Sequence, residues 1–188
     1  MRRLAVAAAA LLALAACGSE EPDAGGGRQE PAAAESELTP CPEQEGTAAA
    51  ADAPDLALDC LGGGTLDLGR APGVPTVLNL WASWCGPCRA ELPLFQQLSE
   101  AAGDQLRVLG VDSQDGRPQG VSFALDAGLT FPSAYDLEGD LAAELGLQGL
   151  PHSVFLAADG SVAHVQAGEI SSYDELRGLV AEHLGVAL

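Results

Sequence analysis

Two cysteines lie two residues apart in the stretch NLWASWCGPCRAELP, residues 79–93. This pair, Cys85 and Cys88, could ligate a metal, form a structural disulfide or act as reactive thiols. A zinc site needs two more soft ligands at matching spacing, and Cys41 and Cys60 do not form a second pair of this kind. A purely structural 85–88 bridge would close a very short loop and would constrain the unfolded chain little. The spacing therefore predicts reactive thiols, with no metal and no other cofactor.

The residues around the pair predict that it stands where a strand ends and a helix begins. Residues 74–82 are a near-continuous apolar run, typical of a strand buried on both faces, and apolar residues recur at helical spacing from Pro87 to Ala102. Free N–H groups and the helix dipole favour a thiolate at such a helix start, so we expect Cys85 to react with the substrate. Cys88, one turn further along, would then resolve the mixed disulfide.

The rest of the pattern predicts an α/β domain with helices on both sides of a mixed sheet. Alternating apolar and polar residues on both sides of Gly62–Gly64 predict an N-terminal β-hairpin. The elements expected after the first helix are a strand, a helix, a short helix, a second hairpin around Asp159-Gly160 and a last helix capped by Ser171 or Ser172, over residues 106–112, 117–129, 140–147, 152–168 and 171–184.

Two segments resemble a known family. The motif at 79–93 and a second block at 149–168, GLPHSVFLAADGSVAHVQAG, are similar to those of the thioredoxin-fold thiol-disulfide oxidoreductases, specifically the TlpA/ResA-like membrane-anchored group. The likeness extends over about 54–184. It implies a thioredoxin-like fold, a central mixed β-sheet flanked by helices, here with the N-terminal β-hairpin as an extension. It also implies disulfide exchange with protein thiols and disulfides.

The resemblance assigns supporting roles around the cysteines. Pro151 matches the family's cis-proline, which faces the two cysteines and would present the backbone of Leu150 to an extended substrate segment. Trp84 matches an exposed indole beside the disulfide; partial packing in the core is the alternative. Gly86 and Pro87 complete the motif, and Pro87 is permitted in the first turn because its missing N–H would have no partner there.

Three further polar residues carry expectations from the family. Asn79 stands where thioredoxins themselves have a buried aspartate. Glu91 matches a glutamate that the ResA-like group places near the active site, where a partly buried carboxylate could accept the proton of Cys88; an ordinary solvated carboxylate is the alternative. His152 departs from the threonine that more often follows the cis-proline, and it either tunes the thiolate or points away along its strand.

The remaining cysteines suggest a second bridge. Because Cys85 and Cys88 pair with each other in the oxidised state, Cys41 and Cys60 are the natural partners for a structural disulfide in an exported chain. Unpaired thiols and a second redox pair remain the alternatives.

The N-terminus has the features of an export signal. Residues 1–17 contain two arginines, an apolar run and a cysteine, and their end, LAAC, resembles the bacterial lipobox, which makes Cys17 the lipidation site. A transmembrane anchor or an unmodified cysteine are the alternatives. Residues 18–53 are rich in Gly, Pro, Ala and Glu and contain no aromatic residue, so we expect a flexible tether. The folded domain is expected over 54–188.

The net charge of the chain disfavours some classes of binding partner. A formal net charge of −19 repels nucleic acid and anionic lipid headgroups. We expect a monomeric oxidoreductase, lipid-anchored to the outer face of the bacterial cytoplasmic membrane, that exchanges disulfides with proteins and draws on a membrane redox donor. The family leans towards a reductant, as in cytochrome c maturation, with oxidase or isomerase activity in protein folding as alternatives. A non-catalytic binding lipoprotein would not need both cysteines, a peroxidase uses a lone cysteine, and a copper carrier would want a longer spacing and a histidine.

Overall fold

The computed structural model describes residues 37–44 and 46–188. The predicted signal peptide with Cys17 and the first part of the predicted tether, up to residue 36, lie outside the described residues. Within the described ranges no helix combines the length and the apolar character needed to cross a bilayer.

The described part of the chain contains seven strands: β1 (Ala57–Asp59), β2 (Thr65–Asp67), β3 (Thr76–Trp81), β4 (Arg107–Ser113), β5 (Ser133–Asp136), β6 (His152–Leu156) and β7 (Val162–Ala167). They form two sheets, and the larger one confirms the expected mixed topology. Strands β1 and β2 are the antiparallel N-terminal hairpin. The other five form a sheet in the order β5-β4-β3-β6-β7, with β3, β4 and β5 parallel and with β6 and β7 antiparallel to their neighbours.

Four helices cover this sheet in the described part of the chain: α1 (Gly86–Ala102), α2 (Arg117–Asp126), α3 (Asp140–Glu144) and α4 (Tyr173–Leu184). Apolar residues of α1, α2 and α4 share one core cluster with alternate residues of the sheet. The hairpin β1–β2 and α3 pack with the other residues of the sheet in a second cluster. Both faces of the central strand are therefore covered, and all six residues of β3 are buried.

Local sequence explains where the two long helices begin and end. Helix α1 has Cys85 as its N-cap and Pro87 in its first turn, and it ends at Gly103, whose φ is 53°. Helix α4 begins after Ser172, whose hydroxyl accepts a hydrogen bond from the Glu175 N–H at 3.2 Å. Of the two serines proposed as the cap, the structure uses the second.

The domain begins before the boundary expected at residue 54. Leu38 and Cys41 are buried, Cys41 forms a disulfide with Cys60, and the Cys41 N–H donates to the Gly63 carbonyl at 2.9 Å. The prediction of a flexible tether over 18–53 is therefore wrong for the residues of it that the structure describes, 37–44 and 46–53, where the Ala49 and Ala50 N–H groups also donate to Gly69 and Asp159 carbonyls. A covalent bridge and backbone hydrogen bonds offset an ordering entropy that this polar composition does not offset through burial alone.

Candidate active site

The two cysteines of the motif form a disulfide at the junction of β3 and α1. Strand β3 ends at Trp81, and Cys85 is the N-cap of α1 with an extended backbone, φ −83° and ψ 106°. The exposed fraction is 4% for Cys85 and 0% for Cys88. An incoming thiolate can therefore reach only the first sulfur, and Cys88 is left for an internal step.

The start of α1 suits a negative charge on the Cys85 sulfur. The Cys88 N–H lies 3.3 Å from Cys85 Sγ, and the free N–H groups of the first turn add the positive end of the helix dipole. This turn, which the structure describes completely, contains no acidic residue whose charge would oppose a thiolate. Gly86 and Pro87 are exposed there, and a Cβ at Gly86 would meet no other residue within 4 Å, so the surface beside the sulfur is open.

Trp84 lies on the surface next to the disulfide. Its exposed fraction is 61%, and its indole Nε1–H donates to the Gln114 carbonyl at 3.0 Å. Gln114 has a positive φ of 57°, in the left-handed region that few residues other than glycine adopt. The indole is thus presented to solvent in an orientation that the loop after β4 holds.

Pro151 lies at the edge of the sheet where the cysteines are. The Leu150–Pro151 peptide bond is cis, and Leu80 of β3 pairs with His152 of β6. This antiparallel register places Pro151 beside Trp81, at the end of β3 from which the cysteine loop departs. Among the described residues, the N–H and carbonyl of Leu150 make no backbone hydrogen bond.

Glu91 is fully buried one turn after Cys88. Its Oε1 accepts a hydrogen bond from Asn79 Nδ2 at 2.7 Å, and its Oε2 accepts one from the Ile170 N–H at 2.8 Å. Burial raises the pKa of this carboxyl from 4.5 to about 7, against the lowering effect of the two hydrogen bonds. Residues three apart share a helix face, so a group that gains and loses a proton near neutrality lies on the face of Cys88. A solvated carboxylate, the alternative reading, does not describe it.

His152 stabilises the loop before β6. Its side chain is buried, and its Nδ1 lies 3.0 Å from the Gly149 carbonyl. A carbonyl only accepts, so Nδ1 carries the hydrogen. The imidazole ties Gly149 to the start of β6 and so holds Leu150 and Pro151 between them.

Comparison with known proteins identifies the family to which the domain belongs. Residues 48–180 match the model of the Redoxin family. The chain belongs to the Redoxin family. Two structures have the same fold over their whole length. One is a putative thiol:disulfide interchange protein DsbE from Chlorobium tepidum, with a TM-score of 0.64, 26% identity and coverage of 75% of this chain and 100% of that one. The other is the exposed lipoprotein thioredoxin Etrx1 of Streptococcus pneumoniae strain TIGR4. Its TM-score is 0.61 and its identity 25%, and the match covers 69% of this chain and 99% of that one.

A curated relative points the same way. The thiol:disulfide interchange protein DsbE of Escherichia coli strain K12 is 32% identical over 100 residues, which are 53% of this chain and 52% of that protein. The chain thus spans about half the length of this relative. The thioredoxin-like fold and the resemblance to the thiol-disulfide oxidoreductases are confirmed.

This redoxin also uses residues that the motifs did not indicate. Gln114 and Asp115, in the loop after β4, contact the cysteine loop: the first holds the Trp84 indole, and the second accepts a hydrogen bond from the Ser83 N–H. Ile170 supplies a backbone donor to Glu91 across 79 residues. The spacing of residues along the sequence does not predict these contacts, because they join distant segments. They form because the loops after β3 and β4, and α1 and the segment before α4, lie next to each other in the fold.

Among the described residues, no group of three or more metal-ligating side chains is present.

Proposed function

We propose that this protein is a thiol-disulfide oxidoreductase that exchanges disulfides with protein substrates through Cys85 and Cys88. The observation that carries the proposal is the asymmetry of the pair: Cys85 reaches the surface at the positive end of a helix, and Cys88 is completely covered. Such a pair separates the intermolecular step from the intramolecular one. Two of the similar proteins are thiol:disulfide interchange proteins by name, which agrees with this chemistry.

The reducing direction balances as follows. The Cys85 thiolate attacks one sulfur of the substrate disulfide, forming a mixed disulfide and releasing the first substrate thiolate. Cys88 then loses its proton and attacks Cys85 Sγ, which forms the 85–88 disulfide and releases the second substrate thiolate. The two electrons of the dithiol pass to the substrate. In the oxidising direction every step runs backwards.

Glu91 is the proposed acceptor of the Cys88 proton. A carboxyl with a pKa of about 7 is partly ionised at neutral pH and can accept a proton and release it in the next cycle. Its two hydrogen bonds hold it in place in the ionised state. Solvent cannot easily replace it because Cys88 has no exposed surface.

The substrate is proposed to bind as an extended segment across the edge where β3 ends and β6 begins. Leu150 offers an N–H and a carbonyl that no other backbone group uses among the described residues, which suits transient strand addition. The exposed Trp84 indole would cover the side chain next to the substrate cysteine. Both features favour a polypeptide over a small disulfide.

Location and direction complete the proposal. We infer lipidation at Cys17, attachment to the outer face of the cytoplasmic membrane, a monomeric state and a membrane redox donor that keeps the pair reduced, with thiols for cytochrome c maturation as a candidate substrate class. The LAAC sequence supports the anchor, and Etrx1 is itself described as an exposed lipoprotein.

Changing Cys17 to alanine should move the protein from the membrane fraction to the soluble fraction; unchanged fractionation would refute lipid anchoring.

Activity and direction are tested with the purified protein. Reduction of insulin should be lost in Cys85→Ser, whereas Cys88→Ser should accumulate a mixed disulfide with the substrate. If insulin reduction survives in Cys85→Ser, the protein is at most a binding protein with this fold. Equilibration of the 85–88 pair in dithiothreitol and glutathione buffers gives its reduction potential. A strongly negative potential supports the reductant, and a value near those of periplasmic oxidants would favour the oxidase or isomerase instead.

A further inference from the structure

A second buried acid lies near the cysteines, and the exchange mechanism does not use it. Asp112 is the residue of β4 that pairs with Trp81 at the end of β3. It is fully buried, and helix α2 packs so closely on it that a Cβ at Gly120 would collide with Asp112 Oδ2. Among the described residues, no N–H or O–H group donates a hydrogen bond to either of its oxygens. After burial, the group that most influences this acid is another carboxyl, that of Asp115, three residues further along the chain.

Asp115 connects this acid to the cysteine loop. Its Oδ2 accepts a hydrogen bond from the Ser83 N–H at 2.6 Å, and its Oδ1 accepts one from the Gly116 N–H at 2.8 Å. Ser83 lies two residues before Cys85, and the next residue, Trp84, is bonded to the same loop. Both oxygens of Asp115 therefore accept hydrogen bonds from backbone N–H groups. The Tyr135 hydroxyl donates to the Asp115 carbonyl at 3.1 Å and holds this loop against β5.

Two carboxyls in contact cannot both be ionised at low cost when they are buried. Because Asp115 faces two N–H donors and Asp112 faces none, the proton belongs on Asp112, which can then donate to Asp115. We propose that Asp112 and Asp115 share one proton and that this pair positions the cysteine loop by keeping the Asp115 carboxylate on the Ser83 N–H. Asp112 is thus a positioning residue for the thiol-disulfide exchange proposed above, whichever way the electrons flow.

The pair also predicts a limit at alkaline pH. Burial, followed by the charge and the hydrogen bond of Asp115, raises the pKa of Asp112 from 3.8 to about 8, and the charge of Arg117 lowers it. These are the charged groups that face Asp112, one from the loop after β4 and one from α2. Above this pH the two carboxylates repel each other, and Asp115 is pushed away from the Ser83 N–H.

The direct test observes the carboxyls rather than the activity. The full protein is labelled with 13C at the aspartate side-chain carboxyl and is titrated by NMR from about pH 5 to about pH 10. We expect one aspartate to titrate near pH 8 in the wild type and this transition to be missing in Asp112→Asn, whose amide still donates to Asp115 but has no proton to lose. If every aspartate titrates below about pH 6, the shared proton is refuted, whatever the protein does in turnover.

The functional test compares rates of exchange between the reduced protein and a small aromatic disulfide. The ratio of the Asp112→Asn rate to the wild-type rate should be close to 1 below about pH 7 and should rise about tenfold above pH 9, the effect expected when a charged hydrogen bond is lost. The control Asp126→Asn, an exposed site on the same helix α2, should follow the wild type throughout. A ratio that does not change with pH would refute the positioning role. A wild type without any exchange activity would instead refute the proposed function and leave the NMR titration to test the pair.

Discussion

Removal of the charge on Glu91 should change the pH dependence of stability by an amount that the structure predicts. The pKa of Glu91 is about 7 in the folded protein and 4.5 as a free side chain. The folded protein therefore holds this proton more tightly than the unfolded chain, so its contribution to the free energy of unfolding is full below pH 4.5. That contribution is lost as the pH rises to about 7. The difference in pKa corresponds to about 3 kcal/mol.

Glu91→Gln isolates this effect because the site can accept an amide. The glutamine oxygen can accept from the Ile170 N–H, and its NH2 group can donate to Asn79 Oδ1, which has no partner among the described residues, after the Asn79 amide turns over. The variant should keep its fold and lose the titration. Between about pH 4.5 and 7, the wild type should lose about 3 kcal/mol more than the variant.

Urea unfolding followed by circular dichroism, repeated at half-unit steps of pH, measures this difference. Glu100→Gln, an exposed site on the same helix α1, is the control and should follow the wild type. At neutral pH, Glu91→Gln should also slow the resolution of the mixed disulfide by Cys88 about 100-fold, as expected for the loss of a general base. Parallel stability curves for the wild type and Glu91→Gln would refute the raised pKa, and an unchanged rate would refute the role as proton acceptor.

Three smaller perturbations test other parts of the structure. The double change of Cys41 and Cys60 to alanine should lower the free energy of unfolding by about 3 kcal/mol, as chain entropy predicts for a loop of this size, and should leave exchange with a small disulfide intact; urea unfolding and a turnover assay measure the two effects. Ser172→Ala removes the cap of α4 and should cost about 1 kcal/mol in the same unfolding assay. Trp84→Phe loses the hydrogen bond to Gln114 and should raise the KM for insulin severalfold without changing the rate with a small disulfide.

Elements with a strong local signal were predictable. The apolar run before the cysteines became β3, the helical spacing after them became α1, and Asp159-Gly160 became the turn between β6 and β7. Strand β5 was missed because SAYD, residues 133–136, is short and has no alternation. It is a strand because β4 offers it a free edge, where Gly110 donates to the Pro132 carbonyl and pairs with Ser133. Such pairing depends on a distant segment and leaves no trace in a window of four residues.

The candidate site likewise has parts that the sequence predicts and parts that depend on distant contacts. The positions of Cys85, Trp84 and Pro151 follow from two recognisable motifs and from the strand-to-helix junction. The surroundings of Glu91 do not, because the donors that hold its carboxylate come from β3 and from the segment before α4. The burial that raises its pKa is likewise a property of packing between helices and sheet. A glutamate in a helix carries no such information until its neighbours are known.

The two buried acids explain how an acidic protein can keep a reactive thiolate. A net charge of −19 would oppose ionisation of Cys85, but charges on the surface are screened over about 8 Å at physiological ionic strength. The charges that matter are therefore those beneath the cysteine loop, where the solvent does not screen. Glu91 on the buried face of α1 and Asp112 beneath α2 both have raised pKa values, so at neutral pH one is partly and the other largely uncharged. Asp115 stays charged in this arrangement, but the Ser83 and Gly116 N–H groups face its carboxylate. The sulfur therefore faces the helix N-terminus and one compensated carboxylate, and this balance should become less favourable as Glu91 and Asp112 ionise at alkaline pH.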